Sequence, residues 1–390
     1  MLNNNLLHTK VQAFIRSYEG PLEQLAFSGS PFNNVTTQEL LQQIESRRKT
    51  ELKLPTWFAS EGIYYPPKLN IEQTSSEATA AYKASLVSGT SLADMTGGLG
   101  VDCYYFSKRF ETVDHFEIDA TLSEIAAHNF RVLNSPGIRC FSQNGTEAVQ
   151  NGTYDVIYAD PSRRHDVKGK VFFLSDCEPN IPEHLESIMD VCNTFVIKTS
   201  PMLDLSVGLE ELKYVSEIHI VAVNNDVKEL VWMLRKEFTA ASPRIHTVNI
   251  TKETPQQFDF SWGTEASEVY GLPQRFLYEP NAALMKSGAF GLLSEAFRVK
   301  KLHSNSHLYT SESLREFPGR RFTIDTCIPY SKGAMKELLT FTKANVATRN
   351  FPESVAVIRK KWKLKDGGDR YLFFTTTLED KKVVLICSKI

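Results

Sequence analysis

The run Ser91-Leu-Ala-Asp94-Met-Thr96-Gly97-Gly98-Leu-Gly100-Val-Asp102 constrains the fold more than any other part of the chain. An apolar stretch ends in an acid, three glycines follow in quick succession, and a helical pattern begins at Val101. Strand, glycine turn and helix in that order form the edge of a parallel sheet where a nucleotide-like cofactor is held, because glycine lets the backbone pass close to a ligand. A glycine cluster also makes an ordinary strand-to-helix turn, so the neighbouring segments have to decide.

Those segments alternate. Short apolar runs at 91–94, 113–117, 138–141, 154–159 and 194–198 are separated by helical patterns such as 120–133, which predicts an α/β fold with parallel strands and helices on both faces. The rhythm changes at 217–223, a polar Asn224-Asn225-Asp226 and 229–234, a pattern that reads as an antiparallel hairpin. A parallel sheet closed by a hairpin after its fifth strand predicts a Rossmann-like sheet of seven strands, the class I methyltransferase type rather than the nicotinamide-binding one.

Upstream, residues 1–64 show helical spacing without strand signals and read as a helical N-terminal domain, with Val11, Phe14, Ile15 and Tyr18 on one stripe and Leu40, Leu41, Ile44 and Leu52 on another. Tyr65-Pro66-Pro67 reads as a linker, and Thr74-Ser75-Ser76-Glu77 as a helix cap. The methyltransferase domain is expected over 65–240. Beyond it, strands at 244–250, 320–325, 371–377 and 382–386 and helices near 281–295, 331–344 and 352–362 predict small α+β modules over 241–315 and 316–390.

A chain of 390 residues with 42% hydrophobic content can bury several cores. Its net charge of −2 hides an asymmetry: residues 296–390 hold 19 basic and 9 acidic side chains, whereas residues 1–295 hold 25 and 37. A basic tail of net +10 suits a polyanion such as RNA or DNA, although a solvated lysine-rich surface gives the same count. No apolar run reaches membrane-spanning length, the first twenty residues lack a signal-peptide core, and the six cysteines form no CxxC pair. A cytoplasmic chain without a disulfide framework, metal or membrane partner is expected.

Asp94 ends the first strand, and with Thr96, Gly97, Gly98 and Gly100 it suits the aminoacyl end of S-adenosylmethionine, the acid taking the ammonium and helix N–H groups the carboxylate. Glu117 ends the second strand, 23 residues on, where an acid accepts both ribose hydroxyls. Asn144 follows the third strand, where a polar side chain meets the adenine amino group; Asn144-Gly145 is equally a plain turn. The fourth strand ends in Asp160-Pro161-Ser162-Arg163-Arg164, and Lys198 at the end of the fifth opens onto the same face, with a structural role equally open.

At Asp160-Pro161 the chain resembles methyltransferases with Asp-Pro-Pro-Tyr or Asn-Pro-Pro-Tyr at this position, which act on an exocyclic or amide nitrogen. The resemblance implies that Asp160 and the Pro161 carbonyl hold an amino group toward the methyl donor, so that catalysis is mostly positioning. Arg163 stands where those enzymes carry an aromatic; a guanidinium can stack on a base or, with Arg164, hold a phosphate. Thr96 in place of the usual first glycine is similar to ribosomal RNA guanine methyltransferases. Residues 165–182, which include Lys168-Gly-Lys170-Val-Phe172-Phe173, are polar enough for a mobile substrate loop.

Toward the C-terminus, Tyr278-Glu-Pro-Asn281, the stretch from Lys301 to Tyr309, Phe317-Pro-Gly319-Arg320-Arg321 and residues 359–369 resemble bacterial class I methyltransferases with a ferredoxin-like segment and a THUMP-like domain. THUMP domains bind structured RNA, and the resemblance implies RNA contacts at Arg320, Arg321, Lys360, Lys361 and Lys363. His303 and His307 lack an acidic third partner in sequence and are expected to hydrogen-bond or stack rather than hold a metal. The activity expected is S-adenosylmethionine-dependent methylation of a base amino nitrogen in rRNA or tRNA. An inactive RNA-binding protein on the same fold, or a methyltransferase acting on protein or a small molecule, are the alternatives.

Overall fold

Seven strands of a nine-stranded sheet lie wholly or partly in the first unit: β1 (Gly89–Asp94), β2 (Phe110–Phe116), β3 (Ile138–Phe141), β4 (Tyr154–Ala159), β7 (Cys192–Thr199), β8 (Val215–Val223) and β9 (Asp226–Leu234). A two-residue pair, β5 (Ser162–Arg163) and β6 (Cys177–Glu178), stands apart from it. The structure is a computed structural model that describes residues 2–163 and 173–390. Arg164 and residues 165–172 of the expected substrate loop lie outside the described residues.

The sheet order is β3-β2-β1-β4-β7-β9-β8, parallel from β3 through β7 and antiparallel at β9. The expected seven strands and their hairpin are present, but the hairpin does not close the sheet: β10 (Arg244–Ile250) and β11 (Gln256–Ser261) continue it beyond β8, making nine strands. Asn224 and Asn225 turn that hairpin at φ 50° and 66°, left-handed values that asparagine tolerates and that match the twist of the two strands. Chain order reverses at β1, flanked by β2 on one side and β4 on the other. At such a switch point the crossovers diverge and leave a crevice beyond the carboxyl ends of the strands.

The N-terminal residues form α1 (Thr9–Ser17), α2 (Leu22–Ser28), α3 (Thr37–Lys53), α4 (Pro55–Ala59), α5 (Lys68–Gln73) and α6 (Glu77–Ser85). Between the strands run α7 (Val101–Phe106), α8 (Ala120–Val132), α9 (Gly145–Ala148), α10 (Ile181–Asp190) and α11 (Leu205–Glu211). Thr36 and Glu39 close a reciprocal capping box that fixes where α3 starts. The core of the N-terminal segment joins Leu40, Ile44 and Trp57 to Leu99, Val101 and Ile125, so the helices cover one face of the sheet domain, and Met1–Ile218 with Lys228–Pro243 make a single compact unit. Tyr65-Pro66-Pro67 is not a linker. Tyr65 is buried, its N–H donates to Gln43 Oε1, and its carbonyl accepts from the carboxamides of Gln42 and Gln43. The prolines that suggest a linker carry an extended chain past α3, where side chains replace the missing backbone partners.

One buried cation ties the unit together. Lys83 of α6 has a fully buried side chain, with Nζ 2.7 Å from Glu229 of β9, 3.2 Å from Asp102 and 3.0 Å from Ser75 Oγ. Asp102 lies on α7 and also accepts from Ser75 and from the Tyr158 hydroxyl. Burial pulls the lysine down, but Asp102 and Glu229 more than compensate and hold it above its ordinary value.

The second unit comprises His219–Val227 and Arg244–Ile390. The outer half of β8 leads there to β10 (Arg244–Ile250) and the antiparallel β11 (Gln256–Ser261). A separate seven-stranded sheet has the order β13-β14-β12-β15-β18-β17-β16, built from β12 (Phe276–Pro280), β13 (Lys300–Lys301), β14 (Tyr309–Ser311), β15 (Gly319–Pro329), β16 (Asn345–Arg349), β17 (Arg370–Thr376) and β18 (Lys382–Lys389). The helix expected over 281–295 is two, α12 (Ala282–Ser287) and α13 (Phe290–Phe297), because Gly288 ends the first at φ 72°. Strands β12 and β14 carry no alternation because every residue in them is buried. No described helix is long and apolar enough to cross a membrane.

Replacing Lys83 by methionine would leave two carboxylates buried without their cation. The expected loss is about 3–5 kcal/mol of unfolding free energy in urea; a Lys83→Met chain as stable as wild type would contradict the role given to this ion cluster.

Candidate active site

The crevice at the carboxyl ends of the parallel strands is a cavity of about 650 Å³. Asp94 lies at its floor, 2% exposed, and accepts from the N–H and hydroxyl of Thr96 and from the Cys103 thiol. Among the described residues no basic group pairs with it. Burial pushes its carboxyl up to about 7, outweighing the Thr96 and Cys103 hydrogen bonds that pull the other way.

The Thr96 hydroxyl, in the place of a glycine, also accepts the Asp160 N–H at 2.7 Å. One side chain therefore clasps the glycine turn to the end of β4. Gly97 packs against His115, whose ring nitrogen would lie 2.4 Å from an added Cβ. Gly98 donates its N–H to Glu117 Oε2 at 2.8 Å, and Glu117 Oε1 takes the Asp119 N–H at 2.8 Å. Asp119 then caps α8. Gly100 does not line the cavity. Its φ of 78° and the Phe130 ring, 2.2 Å from a would-be Cβ, show that this glycine serves the packing of α7 on α8.

Asn144 lines the cavity, but its side-chain oxygen caps α9 by accepting the Thr146 N–H at 3.0 Å. The adjacent Gly145 lets this turn approach the Met95 carbonyl, which an added Cβ would meet at 2.0 Å. At the end of β4, Asp160, Pro161, Ser162 and Arg163 all face the cavity. Lys198 on β7 places Nζ 2.6 Å from Asp160 Oδ2. Burial lowers the Lys198 ammonium, but Asp160, Glu229 and Asp102 outweigh it, so the lysine stays charged well above its ordinary range.

Several lining residues escaped the sequence reading. Ile118 follows Glu117 and is 76% exposed; with Phe116 and Leu122 it gives the cavity an apolar wall. An isoleucine just past a strand-ending acid, outside any apolar stripe, was the available signal. Asn70, Gln73 and Thr74 reach the cavity from the helical segment, and Lys228 from the hairpin; no local pattern connects them to it.

The expected RNA contacts of the second unit differ among themselves. Arg320 Nε lies 2.6 Å from the buried carboxylate of Glu279, which Arg349 also engages. Arg321 pairs with Glu316, and Lys361 with Tyr330 and Glu353. Lys360 and Lys363 are exposed. His303 hydrogen-bonds Asp380 at 3.2 Å and accepts the Asn305 N–H, while His307 stacks on Phe290 at 3.8 Å. One histidine thus hydrogen-bonds and the other stacks.

A glycine turn behind β1, an acid closing β2, Asp-Pro closing β4 and the β8–β9 hairpin after the parallel strands, on this strand order, define the class I methyltransferase fold. Residues 276–318 match the family model of a ferredoxin-like domain, and residues 319–389 that of a THUMP domain-like family. The crystal structure of a candidate methyltransferase from Porphyromonas gingivalis W83 is 30% identical with a TM-score of 0.89, covering 99% of this chain and 98% of that one. The chain belongs to that family, class I methyltransferases with a C-terminal THUMP-like domain. More distant similarities are an rRNA methylase from Streptococcus thermophilus (14% identity, 41% of this chain and 94% of that one, TM-score 0.31) and the tRNA m1G37 methyltransferase of M. jannaschii (12%, 42% and 49%, 0.30). Both likenesses are too slight to bear on activity. No protein of curated function matches the sequence.

The Asp94 carboxyl supplies a pH test. Its folded value of about 7 lies above that of an unfolded aspartate, about 4, so its charge opposes folding. That penalty is absent below pH 4, grows toward pH 7 and is constant above. Asp94→Asn is therefore expected to stabilise the unliganded chain by about 2–4 kcal/mol at pH 8, with the gap closing by pH 4. Urea titrations at both pH values check this, and equal stabilities at pH 8 would contradict it.

Proposed function

We propose that the cavity transfers a methyl group from S-adenosylmethionine to an amino nitrogen of an RNA base. The observation that carries the reading is the Asp160–Lys198 pair, with Pro161 beside it, in the same cavity as the Asp94 carboxylate, with which no cation pairs among the described residues. The donor set fits this cofactor. A buried acid awaits an ammonium at Asp94, Glu117 has lone pairs left beyond those given to Gly98 and Asp119, and Ile118 offers an apolar face to a flat ring.

When bound, the cofactor supplies an electrophilic methyl carbon. Asp94 would hold its ammonium, Glu117 its ribose hydroxyls, and Ile118 with Leu122 its base, near Asn144. Thr96 and the glycine turn fix Asp94 and Asp160 relative to each other, because the same hydroxyl contacts both. Lys198 donates to Asp160 Oδ2, and a carboxylate that receives an ammonium in this way has its remaining lone pairs to accept further hydrogen bonds. Asp160 therefore takes one N–H of the acceptor amine and the Pro161 carbonyl the other, and the rate gain comes from orientation and electrostatics. No general base is required, since the proton can leave to solvent after attack. Arg163 would stack on the acceptor base or hold its phosphate.

The basic tail and the THUMP-like domain support RNA as the acceptor. Within that domain Lys360 and Lys363 are the best placed for phosphates, since Arg320 is engaged by Glu279, Arg321 by Glu316 and Lys361 by Glu353. Tritium transfer from labelled cofactor to total RNA of cells lacking the protein tests the reading. Asp160→Ala is expected to lower kcat about a hundredfold with cofactor affinity unchanged; label entering the protein fraction instead of RNA would contradict it.

A further inference from the structure

Helix α5 touches the cavity from outside the sheet. Asn70 and Gln73 are three residues apart and so share a face of this helix, and both line the cavity together with Thr74. Among the described residues neither carboxamide has a hydrogen-bond partner. The helix beneath them is pinned in place. Lys53 at the end of α3 donates from Nζ to the carbonyls of Ile71 at 2.9 Å and Glu72 at 2.7 Å, and Ile71 itself is buried in the helical core. A rigid element thus presents two unspent carboxamides to the cavity that holds Asp160.

A carboxamide offers one acceptor and two donors in a plane, the complement of a nucleobase edge. The surrounding charge indicates what such a base would be attached to. Lys228 also lines the cavity, and Lys53 feels both Lys198 and Lys228: burial first, then these two charges, lower its ammonium to about 8. Lys198 and Lys228 in the cavity lining, with Lys53 near enough to feel both charges, suit a phosphate next to the acceptor. A protein amide would bring no such charge.

We propose that α5 is the acceptor-reading element: Asn70 and Gln73 hydrogen-bond the edge of a nucleobase whose exocyclic amine lies at Asp160, with Lys228 beside its phosphate. The proposal rests on the RNA-base reading above and adds which residues select the base. It makes the helical segment part of the site rather than a cover for the sheet.

The test uses the full chain, labelled cofactor and total RNA from cells lacking the protein. Asn70→Ala/Gln73→Ala is expected to raise the RNA KM about tenfold, with kcat and S-adenosylhomocysteine affinity within about twofold of wild type. Leu69→Ala, on the same helix and outside the cavity, should leave all three unchanged. An unaltered KM in the double variant overturns the proposal, as does a loss of S-adenosylhomocysteine binding by the folded variant, which would make α5 a structural wall. Should the double variant fail to fold, the isosteric Asn70→Asp decides: it exchanges a donor for an acceptor, and a KM raised about fivefold supports the proposal while an unchanged one overturns it. Absence of RNA labelling by the wild-type chain sinks the RNA reading itself, a result distinct from an active enzyme indifferent to α5.

Discussion

The ammonium of Lys83 lies between Asp102 and Glu229 with no solvent contact, and it joins α6, α7 and β9 behind the cavity. Its neighbours explain why it is there. The carboxyl ends of the parallel strands and their turns gather Asp94, Asp102, Asp160 and Glu229, a concentration of negative charge that a folded interior cannot hold unneutralised. Lys83 and Lys198 answer three of these acids, and among the described residues no cation pairs with Asp94. The uncompensated acid is the one facing the cavity, and burial holds its carboxyl near pH 7. A positive group entering this site would answer that acid, as the proposed cationic methyl donor would.

Thr96 couples this electrostatic frame to the acceptor side. Its hydroxyl donates to Asp94 and accepts from the Asp160 backbone, so the residue that would hold the donor and the residue that would orient the acceptor share one contact. A glycine at 96 would free the backbone but lose that clasp. The threonine that looked in sequence like a departure from the glycine pattern is, in the fold, a strut between β1 and β4. The same economy appears at Glu117, which first fixes Gly98 and Asp119 and then has lone pairs to spare.

Much of the first unit was legible because its signals are local. Apolar runs separated by helical periods mark the strands, an acid or Asp-Pro at the ends of β1, β2 and β4 marks the carboxyl edge, and Asn224-Asn225 announces the hairpin. What was not legible depends on distant partners. Tyr65-Pro66 reads as a linker because nothing nearby shows that Gln43 satisfies its backbone. Gly100 reads as a ligand glycine because nothing nearby shows Phe130 filling the space over it. Arg320 reads as an RNA contact until Glu279 is found beneath it. The cavity residues Asn70, Gln73 and Lys228 come from segments with no motif at all, and strands β12 and β14 lose their alternation because both faces are covered. Local pattern finds the cofactor edge; the acceptor side is assembled from tertiary contacts.

The central claim is that Asp160 orients an RNA base amine for methylation. Mass spectrometry of nucleosides digested from the RNA of cells carrying either the wild-type chain or Asp160→Ala addresses it in the setting where the true acceptor is present. A methylated base nucleoside found with the wild-type chain and missing with the variant is the predicted result. Identical nucleoside profiles from the two strains, with both chains present at equal levels, would contradict the account.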